Sequence, residues 1–196
     1  MKLFLKAACA AFLLTVLFSL LPFQAACADL PRDVFRLHIL ANSDSEDDQA
    51  LKLHVRDRVL RYTEQLYANA SSKEDAEKLT AAHLQAIADA AAAEIKARGY
   101  TYPVKAELVN MYFTTRQYDS FTLPSGKYDA LRLTIGEGKG HNWWCVMFPS
   151  LCGGSQPDSK AKQALSGGEY NVVKNEKHVY KFFIVELFEN LCHSFS

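Results

Sequence analysis

The residues best suited to chemistry crowd into one stretch, His141-Asn142-Trp143-Trp144-Cys145-Val146-Met147-Phe148-Pro149-Ser150-Leu151-Cys152. It holds both tryptophans of the chain and two of its five cysteines. Tryptophan joins a large apolar area to a single donor and is over-represented among binding hot spots. On the functional reading, Asn142, Trp143 and Trp144 form a recognition surface. On the structural reading, a strand buries one ring and covers a sheet edge with the other. Cys145 and Cys152 can close a disulfide around a turn at Pro149, which would stabilise by roughly 2–3 kcal/mol in the chain-entropy model. Two buried free thiols, or one nucleophilic thiol, are the alternatives. A Cys145 nucleophile needs His141 or another imidazole beside it and a third group to orient that base. No thiol-hydrolase signature accompanies it.

A second polar cluster lies at Arg36-Leu37-His38-Ile39-Leu40-Ala41-Asn42-Ser43-Asp44, where a strand pattern gives way to a helix start. Acidic groups there complement a helix dipole. The spaced calcium-loop pattern with its central Gly and terminal Glu is missing. Gly136-Glu137-Gly138-Lys139-Gly140 has the glycines of a phosphate loop but lacks the Lys-Ser/Thr ending and opens no helix, so it reads as a tight strand connection. The six histidines (His38, His54, His83, His141, His178 and His193) show no metal-site spacing. No cofactor and no small-molecule substrate is implied.

The elements that must position these groups follow from periodicity. Residues 33–41 alternate as a half-buried strand, with Phe35, Leu37, Ile39 and Ala41 opposite Arg36 and His38. Leu40 breaks the polar face, a sign that this face is partly covered too. Ser45 with Asp48 fits a capping box and predicts a helix to about Tyr67, with Leu51, Val55, Val59, Tyr62 and Leu66 on one stripe and Lys52, Arg56 and Arg61 off it. Ser72 with Asp75 repeats the pattern and predicts one helix over 73–98, stopped by Gly99. Strands are expected over 104–113, 128–135 and 143–148, with a loop at 114–126. The fold class expected is α+β, a mainly antiparallel sheet with two long helices packed on one face.

Residues 1–28 read as a secretory signal peptide. Lys2 and Lys6 precede an apolar run from Ala7 to Leu21, and Ala26-Cys27-Ala28 supplies small residues for cleavage after Ala28. Fifteen helical residues reach roughly 22 Å, short of a ~30 Å hydrocarbon core. An uncleaved anchor is the alternative, and the Leu-small-small pattern of a lipoprotein signal does not precede Cys27. A domain at 29–152, a polar linker at 153–176 and an apolar C-terminal segment at 177–196 complete the division. Lys and Arg balance Asp and Glu at 22 each, so removing two lysines with the signal leaves 20 − 22 = −2. With no basic run, a nucleic-acid partner is excluded, since phosphate neutralisation dominates such binding.

Two segments resemble a known family. One is Arg36 to Ser45, followed by Asp48-Gln49 and Lys52-x-x-Val55-Arg56-Asp57; the other is Pro124 to Leu131, followed by Gly136 to Pro149 and Leu151-Cys152. Both are similar to stage II sporulation protein R, over about Phe35 to Cys152. The resemblance implies a non-catalytic signalling protein made in the forespore and exported into the space between forespore and mother-cell membranes. There it would activate a membrane-embedded aspartic-type protease of the mother cell, which removes the pro-sequence of sigma-E. The family carries no catalytic residues to transfer. From residue chemistry, the contact surface expected is Asn142, Trp143 and Trp144, with Arg36, Asn42 and Asp44 as a second set. Two further readings compete: an exported cell-wall or thiol hydrolase using Cys145, and a structural or adhesive domain.

Overall fold

The computed structural model describes residues 25–118, 121–152 and 157–174, with a few positions before residue 25. Its elements run β1 (Phe35–Leu40), α1 (Glu46–Leu66), α2 (Lys73–Ala82), α3 (Leu84–Ala97), β2 (Val104–Phe113), β3 (Arg116–Gln117), β4 (Thr122–Leu123), β5 (Gly126–Ile135), β6 (Asn142–Phe148), α4 (Pro157–Ala164) and α5 (Gly167–Lys174). Residues 25–33 are also helical. Most of the expected signal segment before residue 25 and all of 177–196 lie outside the described residues. Among the described residues no helix is long and apolar enough to cross a membrane.

The chain divides into two compact units, one of Pro31–Tyr112 with Lys127–Leu165 and one of Met1–Leu30, Phe113–Gly126 and Ser166–Ser196. The first holds the four-stranded sheet, in the order β2-β5-β1-β6. β1 pairs parallel with β5, Leu37 opposite Leu131, and antiparallel with β6, Leu37 opposite Cys145. The sheet is therefore mixed, and the expectation of a mainly antiparallel sheet is corrected at its central pair. The cause is the connection. A parallel neighbour needs a long crossover, and three helices with the strands β2, β3 and β4 separate β1 from β5.

One face of this sheet packs on the helices. Leu37, Ile39, Leu131, Leu133, Cys145 and Met147 meet Leu51, Val55 and Val59 of α1 and Ile87, Ala91 and Ile95 of α3 in one apolar cluster. α1 starts where the capping box placed it: Ser45 is the N-cap and its hydroxyl accepts from Asp48 N at 3.2 Å. Ser72 caps α2 in the same way. The single helix expected over 73–98 is two. His83 closes α2, its N–H and ring nitrogen both engaging Leu79 O, and α3 restarts with Ile87, Ala91 and Ile95 turned inward. Lys52 is buried at 4 % exposure, although its position off the stripe suggested a solvated side chain.

In the second unit, the segment read as a loop carries the small β3–β4 ladder, with Arg116 opposite Leu123. Tyr118 and Phe121 stack at 4.5 Å across its turn. The segment read as a polar linker carries two short helices, α4 in the first unit and α5 in the second. α4 opens with Pro157 at its first position, where a missing N–H costs nothing. α5 opens with a reciprocal box: Ser166 N donates to Glu169 Oε2 at 2.8 Å and Glu169 N to Ser166 Oγ at 3.4 Å.

Candidate functional site

The pairing of β1 with β6 brings the two chemistry-bearing segments together across about a hundred residues of sequence. His38 stands opposite Trp144, Ile39 opposite Trp143 and Leu40 opposite Asn142. Side chains of a strand alternate between faces, so the adjacent tryptophans diverge. Trp143 goes to the helix side, where Arg56 of α1 lies 4.5 Å over its ring. Trp144 goes to the other side and stacks on His38, centroids 3.9 Å apart and planes 8° from parallel. Both rings are half-buried and Asn142 is exposed. Among the described residues β6 is an edge strand, and the two rings flank that edge from opposite faces. They do not form one flat patch.

His38 is the centre of the Trp144 side. Its Nε2 is hydrogen-bonded to Asn142 Oδ1 at 2.7 Å. Burial holds the imidazole below the ordinary histidine value; the Asn142 bond opposes this and the charge of Arg132 adds to it. His38 is thus neutral near pH 7.

Below this pair the loops before α1 and after β5 are latched. Asn42 donates to Asp48 Oδ2 at 2.9 Å, accepts from Glu137 N at 3.0 Å on its side chain, and accepts from Lys139 N at 3.1 Å on its backbone. Asp44 Oδ1 accepts from His141 N at 2.6 Å and also pairs with the His141 ring. Lys52 Nζ reaches His141 O at 2.8 Å from the buried side. Burial would raise the Asp48 carboxyl, but hydrogen bonds from Ser43, Asn42, Tyr102 and Ser45 together bring it below the usual carboxylate range. Gly136 and Gly138 take φ of 56° and 64°, the left-handed region that favours glycine. The connection is a tight turn, as its pattern indicated.

Of the expected contact residues, Arg36 is moved furthest from its expected role. It is fully buried, its Nε donates to Cys145 O at 3.3 Å, and its guanidinium lies 5.1 Å over the Tyr128 ring. The strand is covered on both faces, so the polar side of the alternation is interior and Arg36 braces it. Asn42 and Asp44 are spent largely on the latch, though the Asp44 side chain stays 55 % exposed. Lys52 and His141, not among the expected residues, complete the cluster. Lys52 also donates to Gln49 Oε1 three residues back, but the contact that brings it into the cluster is a backbone carbonyl 89 residues away, which no local pattern marks.

Cys145 and Cys152 are joined in a disulfide, Cα atoms 6.2 Å apart. Cys152 Sγ also receives the Val146 N–H at 3.3 Å. Cys145 is fully buried, so its sulfur is not presented as a nucleophile. Among the described residues no group of three His, Cys, Asp or Glu side chains is placed to hold a metal ion. The arrangement offers recognition: aromatic area on either side of a strand edge, with the exposed groups of Asn142, His141 and Asp44 at its end.

The segments that form this end are the ones shared with known proteins. A family model described as stage II sporulation protein R matches residues 31–156. Stage II sporulation protein R of Bacillus subtilis (strain 168) is 37% identical over 123 residues, 63% of this chain and 55% of that protein, so the match spans little more than half the relative's length. No solved structure matches. The family match runs from the residues just before β1 to those just past Cys152, and so takes in both strands of the site and the latch between them; the chain belongs to the stage II sporulation protein R family.

Proposed function

We propose that this protein is an exported signalling ligand of the forespore. It activates a membrane-embedded aspartic-type protease of the mother cell and thereby leads to processing of pro-sigma-E during endospore formation. Membership of the family supports a role in sporulation. The observation that carries the finer reading is the character of the β1–β6 end: half-buried aromatics flank a strand whose first residue, Asn142, is exposed, and the one candidate nucleophile beside them is sealed in a disulfide. Such a surface supports binding rather than cleavage. The mechanism is differential affinity. A ligand that holds the active form of the protease more tightly than the resting form shifts that population. The N-terminal signal pattern supports delivery to the space between the two membranes.

The test is processing of the sigma-E precursor in a sporulating strain deleted for this gene. Restoring the wild type and restoring Cys145→Ser should both recover processing, the latter at reduced protein level. Normal processing in the deletion strain would sink the reading, and loss with a stable, folded Cys145→Ser protein would return the thiol hydrolase to the front. Trp143→Ala and Trp144→Ala, made separately, test the surface. If both fold and both still support processing, the β6 edge is not the contact.

A further inference from the structure

The sheet has two edges, and they are treated differently. β6 is seven residues long and its edge is closed partway, since the Val146 N–H is taken by Cys152 Sγ at 3.3 Å. β2 is ten residues long, and among the described residues its neighbour in the sheet is β5 alone. A long open edge is a template for another strand, and proteins usually blunt one with charge, proline or a bulge. β2 is defended in its first half only. Lys105 and Glu107 are ion-paired there at 2.6 Å, and Arg132 joins Glu107 at 3.0 Å. The second half presents Leu108 at 40 % and Tyr112 at 43 % exposure, the large exposed apolar residues of this unit.

The backbone phase of that edge can be read. Asn110 bonds Asp129 and Glu107 bonds Arg132, so β2 and β5 run in opposite directions. Pro103 O accepts from Gly136 N at 2.8 Å, facing β5. Backbone groups alternate in direction along a strand. Odd-numbered residues of β2 therefore spend their N–H and C=O on β5, and Ala106, Leu108, Asn110 and Tyr112 point theirs outward.

We infer that β2 is a self-association edge: two copies of this chain pair β2 against β2, antiparallel, about a two-fold axis at Asn110. In this register Leu108 faces the partner's Tyr112, Tyr112 faces the partner's Leu108, and Asn110 faces its own copy. All three are hydrogen-bonded pairs, formed by the outward-pointing groups. On the opposite face Val109 meets the partner's Met111. The exposed apolar residues cover one another, as an isologous contact requires. Moving the axis to Val109 sets Leu108 against Asn110 and Glu107 against Met111, opposing charge and amide to apolar side chains. The Asn110 register is the one that sets the two exposed apolar side chains, Leu108 and Tyr112, directly against each other, and the occupant it fits is its own copy.

The inference does not depend on the activation reading, and its readout is oligomeric state. The full chain, in the N-terminal form an exporting host releases, is followed by sedimentation velocity from about 1 to 100 µM, the range of weak interfaces. A monomer–dimer equilibrium is expected. Leu108→Lys and Tyr112→Lys, each folded by circular dichroism, should weaken it at least about tenfold. Asn110→Cys puts two thiols on Cα atoms about 5.5 Å apart at the axis, within disulfide reach; mild oxidation should then give a covalent dimer, and Leu108→Cys should not. A chain that stays monomeric throughout overturns the inference, whether another partner or its own C-terminal segment takes the edge. A dimer indifferent to both lysines, or cross-linked at 108 and not at 110, overturns it as well.

Discussion

At the scale of single residues, much of the shared sequence holds the site in place. Gly140 is the sharpest case. A Cβ there would stand 2.1 Å from Ser43 O and 2.5 Å from Ser43 C. Both are backbone atoms of the latch and cannot rotate away. Gly140→Ala should therefore destabilise by about 2 kcal/mol, seen as a lower urea midpoint with an unchanged slope. An unchanged midpoint would mean that the latch yields freely. His38 gives a pH signature. Burial depresses its folded pKa below the ~6.5 of an unfolded histidine, so below that value the unfolded chain binds more protons than the native one. The contribution is whole above about pH 6.5 and declines as pH falls from there toward the depressed native pKa. Wild-type stability should fall between pH 7 and 5 more steeply than that of His38→Gln, and parallel profiles would refute the assignment. Neither role was visible in the sequence. Gly140 looked like turn punctuation and His38 like part of the polar face of a half-buried strand, because the atoms that constrain them, Ser43 O and Trp144, arrive from remote segments.

At the scale of elements, signals confined to a few neighbouring residues were readable and those requiring a partner were not. Ser45 and Ser72 cap their helices as their spacing to Asp48 and Asp75 indicated. The same logic applied to Ser166 and Glu169 would have found α5, but Gly167-Gly168 between them reads as flexible chain, and Pro157 reads as a helix breaker although at a first helical position it is a starter. The break at His83 carries no sequence mark, since alanine-rich flanks favour a continuous helix; packing of the inward residues on the sheet decides the phase instead. The caps yield a graded prediction. Ser45→Ala removes the acceptor for Asp48 N and should cost about 1 kcal/mol. Ser45→Asp should restore most of it, since a carboxylate caps as well and favours the helix N-terminus. Thermal unfolding of the three proteins decides this, and equal loss in Ala and Asp variants would show that the hydroxyl's bond to Ser43, at 3.2 Å, matters more than the cap.

At the scale of the whole molecule, the fold class was readable from the order of strand and helix patterns, but the parallel β1–β5 pair was not, because nothing local says which strand will lie beside β1. The family was readable for a different reason: two strings rich in Trp, Cys, Gly and Asn carry it, and the sheet then makes them neighbours. What joins the scales is the disulfide. Cys145 lies in the central apolar cluster and Cys152 packs against it, so the bond ties the last turn of the matched region to the core directly after Trp144. Reduction should cost roughly 2–3 kcal/mol, measured as a reductant-dependent shift of the urea midpoint that Cys145→Ala/Cys152→Ala no longer shows. That double variant also separates structure from chemistry. Held at a temperature where it is fully folded, a ligand that acts through the β6 edge should still drive sigma-E processing, with any deficit tracking protein level. If processing fails while the variant is folded and abundant, the sulfur itself is required, and a surface made only for recognition is not what this end of the sheet provides.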